Sequence, residues 1–318
     1  MSKSISRRNF LSYSAAGMAA VTTTHVAVGG RNTGTATVDP VSTEVDVQTE
    51  VDVLVVGGGT AGTIAAIQAG RLGARTLLLE RNGQLGGQTT TGGVSYPGLF
   101  DAWGKQIIAG IGWEMVEESV ALDNGKLPNF SKVPNKHFQN QVQVNQFIYA
   151  LLAEEKCTQA GVQIAYHEFI NSLKKVKNGW EVDCIGFGTR RKVLCKQIVD
   201  CSGGAEAVGL MGHERLRGEE RQPGSYLYQL GSAAPHGRRQ LMRVYVHGAD
   251  STNSRTVTEA NLVGREEILK NVRKSKKLLT HLQPEAGFRE SYRIVGETMI
   301  TVNDYRSGRR FDDAIAYA

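Results

Sequence analysis

The sequence predicts an α/β fold: a parallel sheet flanked by helices, carrying a β-meander and an inserted mixed α+β region. Three observations predict it. A β-branched run, Val51-Asp52-Val53-Leu54-Val55-Val56, breaks at a glycine cluster and passes into a helical pattern and a second apolar run, the order of a parallel βαβ unit. Three strand-like segments follow one another between 163 and 200, with Asn178-Gly179 as a hairpin turn. Strand and helix patterns then mix between 222 and 283.

Bulk composition narrows the class. Hydrophobic residues at 41 % and charged residues at 21 % supply a core and exclude wholesale disorder. The 37 glycines follow no three-residue period, which excludes collagen, and 15 of them crowd into residues 57–112. Four cysteines exclude a disulfide scaffold, and no unbroken apolar run of about 18 residues offers a stable membrane span. The formal charge of +6 suggests an acidic partner until it is divided. Residues 1–30 hold Lys3, Arg7 and Arg8 and no acid; without them the charge is +3, which is solubility charge and not a nucleic-acid footprint.

Those thirty residues read as an address. Ser6-Arg7-Arg8-Asn9-Phe10-Leu11 leads into a weakly apolar stretch, Leu11 to Val28, of Ala, Gly, Thr and Ser. The box resembles a twin-arginine export signal, in which a receptor reads the Arg pair and the mild apolar run enters the translocon without anchoring. The resemblance implies the twin-arginine machinery as a partner, a periplasmic or extracellular location, and export of a folded chain that already holds its cofactor. Ala27-Val28-Gly29 and Gly34-Thr35-Ala36 both offer small residues for cleavage. Residues 31–49, rich in Thr, Val, Ser and acids, read as a linker.

The next unit, 50–221, is a Rossmann-like nucleotide-binding domain. Gly57-Gly58-Gly59-Thr60-Ala61-Gly62 joins the first strand to a helix with Ile64, Ala66, Ile67 and Leu72 on its pattern, closed by Gly73. Gly57 allows the tight turn, Gly59 lets the backbone approach a pyrophosphate, and Gly62 lets helix and strand pack closely. The helix N-terminus offers unpaired N–H groups and partial positive charge to phosphates. The second strand, Arg75–Glu80, ends in an acid placed to accept hydrogen bonds from adenosine ribose hydroxyls and to disfavour a 2′-phosphate.

The segment after Glu80 separates FAD from NAD. Arg81-Asn82-Gly83-Gln84-Leu85-Gly86-Gly87-Gln88-Thr89 follows the acid directly, and Val53 to Gly87 resembles the long fingerprint of glutathione-reductase-like flavoproteins. That resemblance implies FAD, with Arg81, Gly86, Gly87 and Thr89 beside the flavin nucleotide.

Later segments narrow the resemblance. Gly104 to Glu114 begins a helix running toward Ser119, and Ile198-Val199-Asp200-Cys201-Ser202-Gly203-Gly204 is a strand ending in a glycine turn. Arg289-Glu290-Ser291 precedes Gly308-Arg309-Arg310-Phe311-Asp312-Asp313. From residue 51 onward the chain resembles the bacterial FAD-dependent oxidoreductase family, some members of which carry a xanthan lyase label. The family implies a flavoenzyme acting on a small organic substrate, with Ser202 and Gly203 at the nucleotide. The catalytic residues stay unknown; Arg289 and Glu290 are the candidates, on the substrate side, with an ion pair that fixes a turn as the equal alternative. Relatives carry an acid where Gly204 stands, a role open to Glu206. They also continue beyond residue 318, so 284–318 reads as a truncated return to the nucleotide domain. Two other readings stand beside the enzyme: a non-catalytic nucleotide-binding fragment, and a protein associated with polysaccharide cleavage by proton abstraction.

The remaining segments carry less chemistry. Asn140 to Thr158 reads as a helix with Phe147, Leu151 and Leu152 apolar, and Gln163–Ile170, Trp180–Phe187 and Arg191–Asp200 as the meander strands. The backbone near Phe169 and Ile170 either meets the adenine or packs at an edge. Residues 222–283 read as a substrate-side insertion: strands Ser225–Leu230 and Gln240–His247, then a helix from Thr258 to Leu282 whose basic run is balanced by Glu266 and Glu267. Cys184 and Cys195 either face each other across a hairpin or, like Cys157 and Cys201, pack as free thiols. No cysteine or histidine spacing indicates a metal, and His137 and His213 read as surface or substrate-facing histidines.

Overall fold

The computed structural model describes residues 45–218, 222–231 and 240–312; the segment expected to be an export signal lies outside them. The first unit is β1 (Val47–Val56), α1 (Thr60–Arg71) and β2 (Thr76–Glu80). A two-residue hairpin, β3 (Asp101–Ala102) and β4 (Lys105–Gln106), precedes α2 (Ile111–Leu122), α3 (Gln146–Gln159) and β5 (Gln163–Tyr166). The meander is β6 (Phe169–Val176), β7 (Gly179–Gly186) and β8 (Thr189–Asp200). Then come α4 (Glu206–Leu210), β9 (Arg215–Leu216), β10 (Gly224–Gly231), β11 (Gln240–Val246), α5 (Ser254–Lys274), β12 (Leu278–Leu282), β13 (Arg293–Ile294) and α6 (Val302–Ser307).

One six-stranded sheet, in the order β5-β2-β1-β8-β7-β6, carries both the nucleotide unit and the meander. Its first four strands are parallel and its last two antiparallel. The fusion rests on β8, a 12-residue strand that lies along β1 from Arg191 to Asp200 and also pairs with β7. Val47 to Glu50 join β1 by pairing with Arg191 to Leu194, so the expected linker gives its last residues to the sheet.

Alternation sorts the apolar residues. Val55 and Leu78 face one side with Ile67, Met115, Tyr149 and Ala153 from the helices. Leu54, Val56, Leu77 and Leu79 face the other with Val182, Val193 and Ala207. Both faces of the parallel part are thus buried, as its near-continuous apolar strands require. A three-stranded sheet, β11-β10-β12, packs Tyr226, Tyr228 and Leu230 against Ala260 and Ile268 of α5.

Several boundaries differ from the sequence reading for identifiable reasons. The strand expected over 163–170 breaks at His167, which takes φ +57, and its halves go to opposite edges of the main sheet. The helix expected from Gly104 begins at Ile111, because Gly104 (φ +74) and Gly110 (φ +89) take left-handed backbone. Asn145 caps α3 by accepting from the Phe147 and Ile148 N–H groups, so that helix starts later than Asn140, and Phe147 and Leu151 are exposed. The helix expected to reach Leu282 stops at Lys274, and residues 278–282 pair with β10, since tertiary strand pairing outweighs local helical pattern. In the meander Val176 pairs with Gly179, so the turn is Lys177-Asn178, one residue earlier than expected.

Cys184 pairs in register with Arg191, and Cys195 with Trp180, so the two do not face each other. All four cysteines are free thiols. Burial pushes Cys157 and Cys184 up to about 12, which makes them inert packing residues. On α5, Lys270 pairs with Glu266 (3.0 Å) and Glu267 (3.6 Å), a solvated face.

Candidate functional site

The site begins where β1 ends. Gly57 takes φ +99, and a Cβ on it would stand 2.5 Å from the Cys201 carbonyl oxygen; a Cβ on Gly62 would overlap the Gly57 carbonyl oxygen. Only glycine lets α1 start this close to the strand. No side chain caps α1, and no acid lies in its first turn, so its N-terminal N–H groups are left for an anion.

A second glycine turn closes on the first. The Gly86 N–H donates to the Gly58 carbonyl (2.8 Å), and a Cβ on Gly87 would stand 2.8 Å from the Gly59 Cα. Thr60 Oγ1 donates to the Gly86 carbonyl (3.1 Å) and lies 3.0 Å from Thr89 Oγ1, tying the two turns together. Gly86 itself takes φ +100.

Glu80 holds the first turn and the start of the loop that leads to the second. Its Oε2 accepts from the Gly58 N–H and its Oε1 from the Asn82 N–H, each at 2.8 Å. It is buried, and burial pushes its carboxyl up against the pull of those two donors. Each oxygen keeps a lone pair for a further donor.

These residues line a cleft of about 1110 Å³, counting its open mouth. Of the expected site residues, Gly57, Gly59, Glu80, Arg81, Gly87, Ser202 and Gly203 lie on its wall. Gly58, Thr60, Gly62, Gly86 and Thr89 stand behind it as the frame, and Ala61 is exposed on the first turn of α1. Ile170 is instead buried in the sheet core among Val182 and Cys184, while its neighbour Phe169 is on the cleft wall and half-exposed. The alternation of a strand separates the two.

Ser202 serves its own turn. Its hydroxyl donates to Asp200 Oδ1 (2.6 Å) and accepts from the Glu206 N–H (2.9 Å). Glu206 brings an acid to the place left by Gly204: a side chain starting at 204 would begin 3.7 Å from Glu206 Oε1. Burial pushes the Glu206 carboxyl up, and Arg81 lies 3.7 Å away.

Arg289 and Glu290, expected on the substrate side, line this same cleft with Ser291. Their segment forms its far wall. Ser291 Oγ donates to the Gly203 carbonyl, Ser251 Oγ to the Glu290 carbonyl (3.2 Å), and Arg215 stacks over Tyr292 at 4.3 Å. Cys201 reaches the wall with its glycine turn; Glu168, Glu285 and Phe288 also reach it, and no local pattern announces them. Glu168 is neutralised by a bidentate contact with Arg191 (2.8 and 2.9 Å). His213 is exposed outside the cleft, and His137 belongs to a short 3₁₀ turn. Among the described residues no group of acids, cysteines and histidines forms a metal site, and no helix is long and apolar enough to cross a membrane.

A family model described as FAD dependent oxidoreductase matches residues 52–277 and 227–318. The chain belongs to that family. FAD is therefore its cofactor, and the cleft fits one: glycines whose missing Cβ lets the turns close tightly, an uncapped helix N-terminus for a diphosphate, and a buried acid for a ribose. Among relatives of the family member, the thiamine thiazole synthase of Methanococcus vannielii is 46% identical over 50 residues, 16% of this chain and 19% of that protein. The fold is similar to that of OxyS, an anhydrotetracycline hydroxylase from Streptomyces rimosus (TM-score 0.51, 16% identity, 77% of this chain and 54% of that one). It is also similar to CabE, an aromatic hydroxylase from angucycline biosynthesis (TM-score 0.52, 14% identity, the same coverage). The chain thus spans about a fifth of the curated relative and about half of each hydroxylase.

Proposed function

We propose that the protein is an exported FAD-dependent oxidoreductase that takes a hydride or electrons from a small organic substrate and passes them to a second acceptor. The observation that carries this reading is the pair of glycine turns, 57–62 and 86–89, closed on each other in front of an uncapped helix N-terminus and a buried glutamate. When bound, FAD supplies reversible two-electron chemistry through its ring. The chain's own residues bind and orient it. Gly57, Gly59 and the first turn of α1 receive the diphosphate. Glu80 accepts from the adenosine ribose, Phe169 offers its ring beside the adenine, and Gly86, Gly87 and Thr89 hold the backbone open along the flavin nucleotide. Arg81 and Arg289 bring positive charge to the cleft mouth.

Export rests on Ser6-Arg7-Arg8-Asn9-Phe10-Leu11. Replacing Arg7 and Arg8 together with Lys should leave the protein in the cytoplasm, as fractionation would reveal.

The decisive experiment is to purify the protein and record its visible spectrum before and after adding an electron donor. Flavin absorption that bleaches supports the enzyme. A colourless protein that binds FAD only weakly supports a nucleotide-binding fragment. Uronate-ended products released from a polysaccharide without flavin would overturn the oxidoreductase reading.

A further inference from the structure

The β3–β4 hairpin carries a tryptophan where its turn disfavours one. Asp101 pairs with Gln106 and Ala102 with Lys105, so the turn is Trp103-Gly104. Both residues take positive φ, +51 and +74. A two-residue turn of that kind ordinarily takes Asn-Gly or Asp-Gly, because a bulky side chain is strained there. Trp103 is nevertheless 83% exposed, so little packing offsets the strain. Ile107 and Ile108 follow, both exposed, and their N–H groups donate to the Phe100 carbonyl (2.9 and 3.1 Å). A local rule broken without an internal gain points to a use outside the fold.

A second segment stands beside the tip. A Cβ on Gly104 would lie 3.4 Å from the Ser131 carbonyl oxygen and 3.5 Å from Val133 Cγ2. This loop is pinned at both ends. Phe130 packs against the buried Trp113 ring at 5.4 Å, and buried Asn140 donates to Asp101 Oδ2 (2.7 Å) and to the Lys132 carbonyl (3.4 Å). Between the pins, Lys132, Val133, Lys136 and Phe138 are exposed, with Lys136 Nζ over the Phe138 ring. Residues 102–113 and 124–139 hold four lysines and no acid. On α2, which joins the two segments, Glu114 pairs with Arg71 (2.8 Å) and Glu118 with Lys156 (2.6 Å). Glu117 and Asp123 are left to offset four lysines, so the tip is both apolar and basic.

We propose that this tip docks the protein on a membrane surface rich in anionic lipid. An indole sits well at the headgroup level of a bilayer. Lysines around it reach lipid phosphates while their stems cover apolar surface. A protein partner fits less well, since lysine is depleted from protein interfaces and a pointed two-residue turn offers little area. A second copy would set lysines against lysines. The contact is peripheral: Trp103, Ile107 and Val133 enter the interface and nothing spans the bilayer.

The test is flotation of the purified protein with vesicles of phosphatidylcholine, alone and mixed with phosphatidylglycerol. Wild type should float with the mixed vesicles, bind far less to phosphatidylcholine alone, and be released by salt. Its tryptophan emission should shift to the blue on binding. Trp103→Asn gives the turn the residue it favours. That variant should melt no lower than wild type, yet bind the mixed vesicles about tenfold more weakly. Lys105→Gln, Lys132→Gln and Lys136→Gln should each weaken binding about fivefold, and they carry the test if Trp103→Asn does not fold. Wild type that floats with neither vesicle overturns the proposal and leaves the face to a protein partner. Equal binding to both vesicles overturns it as well, because the lysines then contribute nothing. So does binding that survives Trp103→Asn and the three lysine changes together, which places docking elsewhere. A dimer in solution that Trp103→Asn breaks, with no vesicle binding, overturns it in favour of a second copy.

Discussion

The two walls of the cleft are built by opposite means. The near wall is backbone from one short stretch of chain: the turn at 57–62, Glu80, and the turn at 86–89, held by N–H donors and by the absence of Cβ atoms. The far wall is assembled from segments distant in sequence, 201–206 and 285–291. Side chains tie it: Ser291 to Gly203, Arg215 to the Gly204 and Ala205 carbonyls, and Arg215 over Tyr292. A local backbone device tolerates almost no substitution, whereas a wall of tied side chains loses its parts one by one. Substitutions on the two walls should therefore differ in size and in what they change.

The largest effect belongs to the near wall. Gly62→Val drives a side chain into the Gly57 carbonyl and should cost at least about 3 kcal/mol, with FAD binding lost; chemical denaturation and FAD titration measure both. Glu80→Ala leaves the Gly58 and Asn82 N–H groups without their acceptor and should destabilise the protein by about 2–4 kcal/mol, besides weakening FAD.

Far-wall changes should be milder and leave the fold intact. Arg289→Ala should raise the FAD dissociation constant severalfold, more at low salt than at high, while turnover of the loaded enzyme stays unchanged. A loss of turnover at full FAD occupancy would return Arg289 to the substrate side. The smallest effect has the opposite sign: Glu206→Gln removes a negative charge from the cleft and should tighten FAD about two- to fivefold at neutral pH. It should also flatten a pH dependence. Burial raises the carboxyls of Glu206 and Glu80 in the folded chain, so their contribution to flavin-free stability is complete below the ordinary carboxylate range. It is lost as pH rises through their raised values, and the variant should lose less.

The same contrast explains what was legible in the sequence. Gly57, Gly59, Gly62, Glu80, Gly86 and Gly87 carry their geometry in residue type and spacing, and the structure brings them together. Ser291, Phe288 and Glu285 reach the cleft only through tertiary pairing more than 200 residues from the first turn. Arg289 and Glu290 were visible as a motif, but a motif does not say which wall it lines. The split of 163–176 at His167 was hidden because a histidine with positive φ leaves no compositional trace. Residues 275–282 carried a helical pattern that pairing with β10 overrode. Ile170 and Phe169 were one residue apart in the reading and lie on opposite faces of a strand.

In the proposed function FAD lies with its diphosphate between the two glycine turns. Titrating the flavin-free protein with FAD, alone and against increasing ADP, tests it most directly. One FAD should bind per chain and be displaced competitively by ADP, and the Gly62→Val protein should bind none. Failure of the wild type to bind FAD, or FAD binding that ADP does not displace, would contradict it.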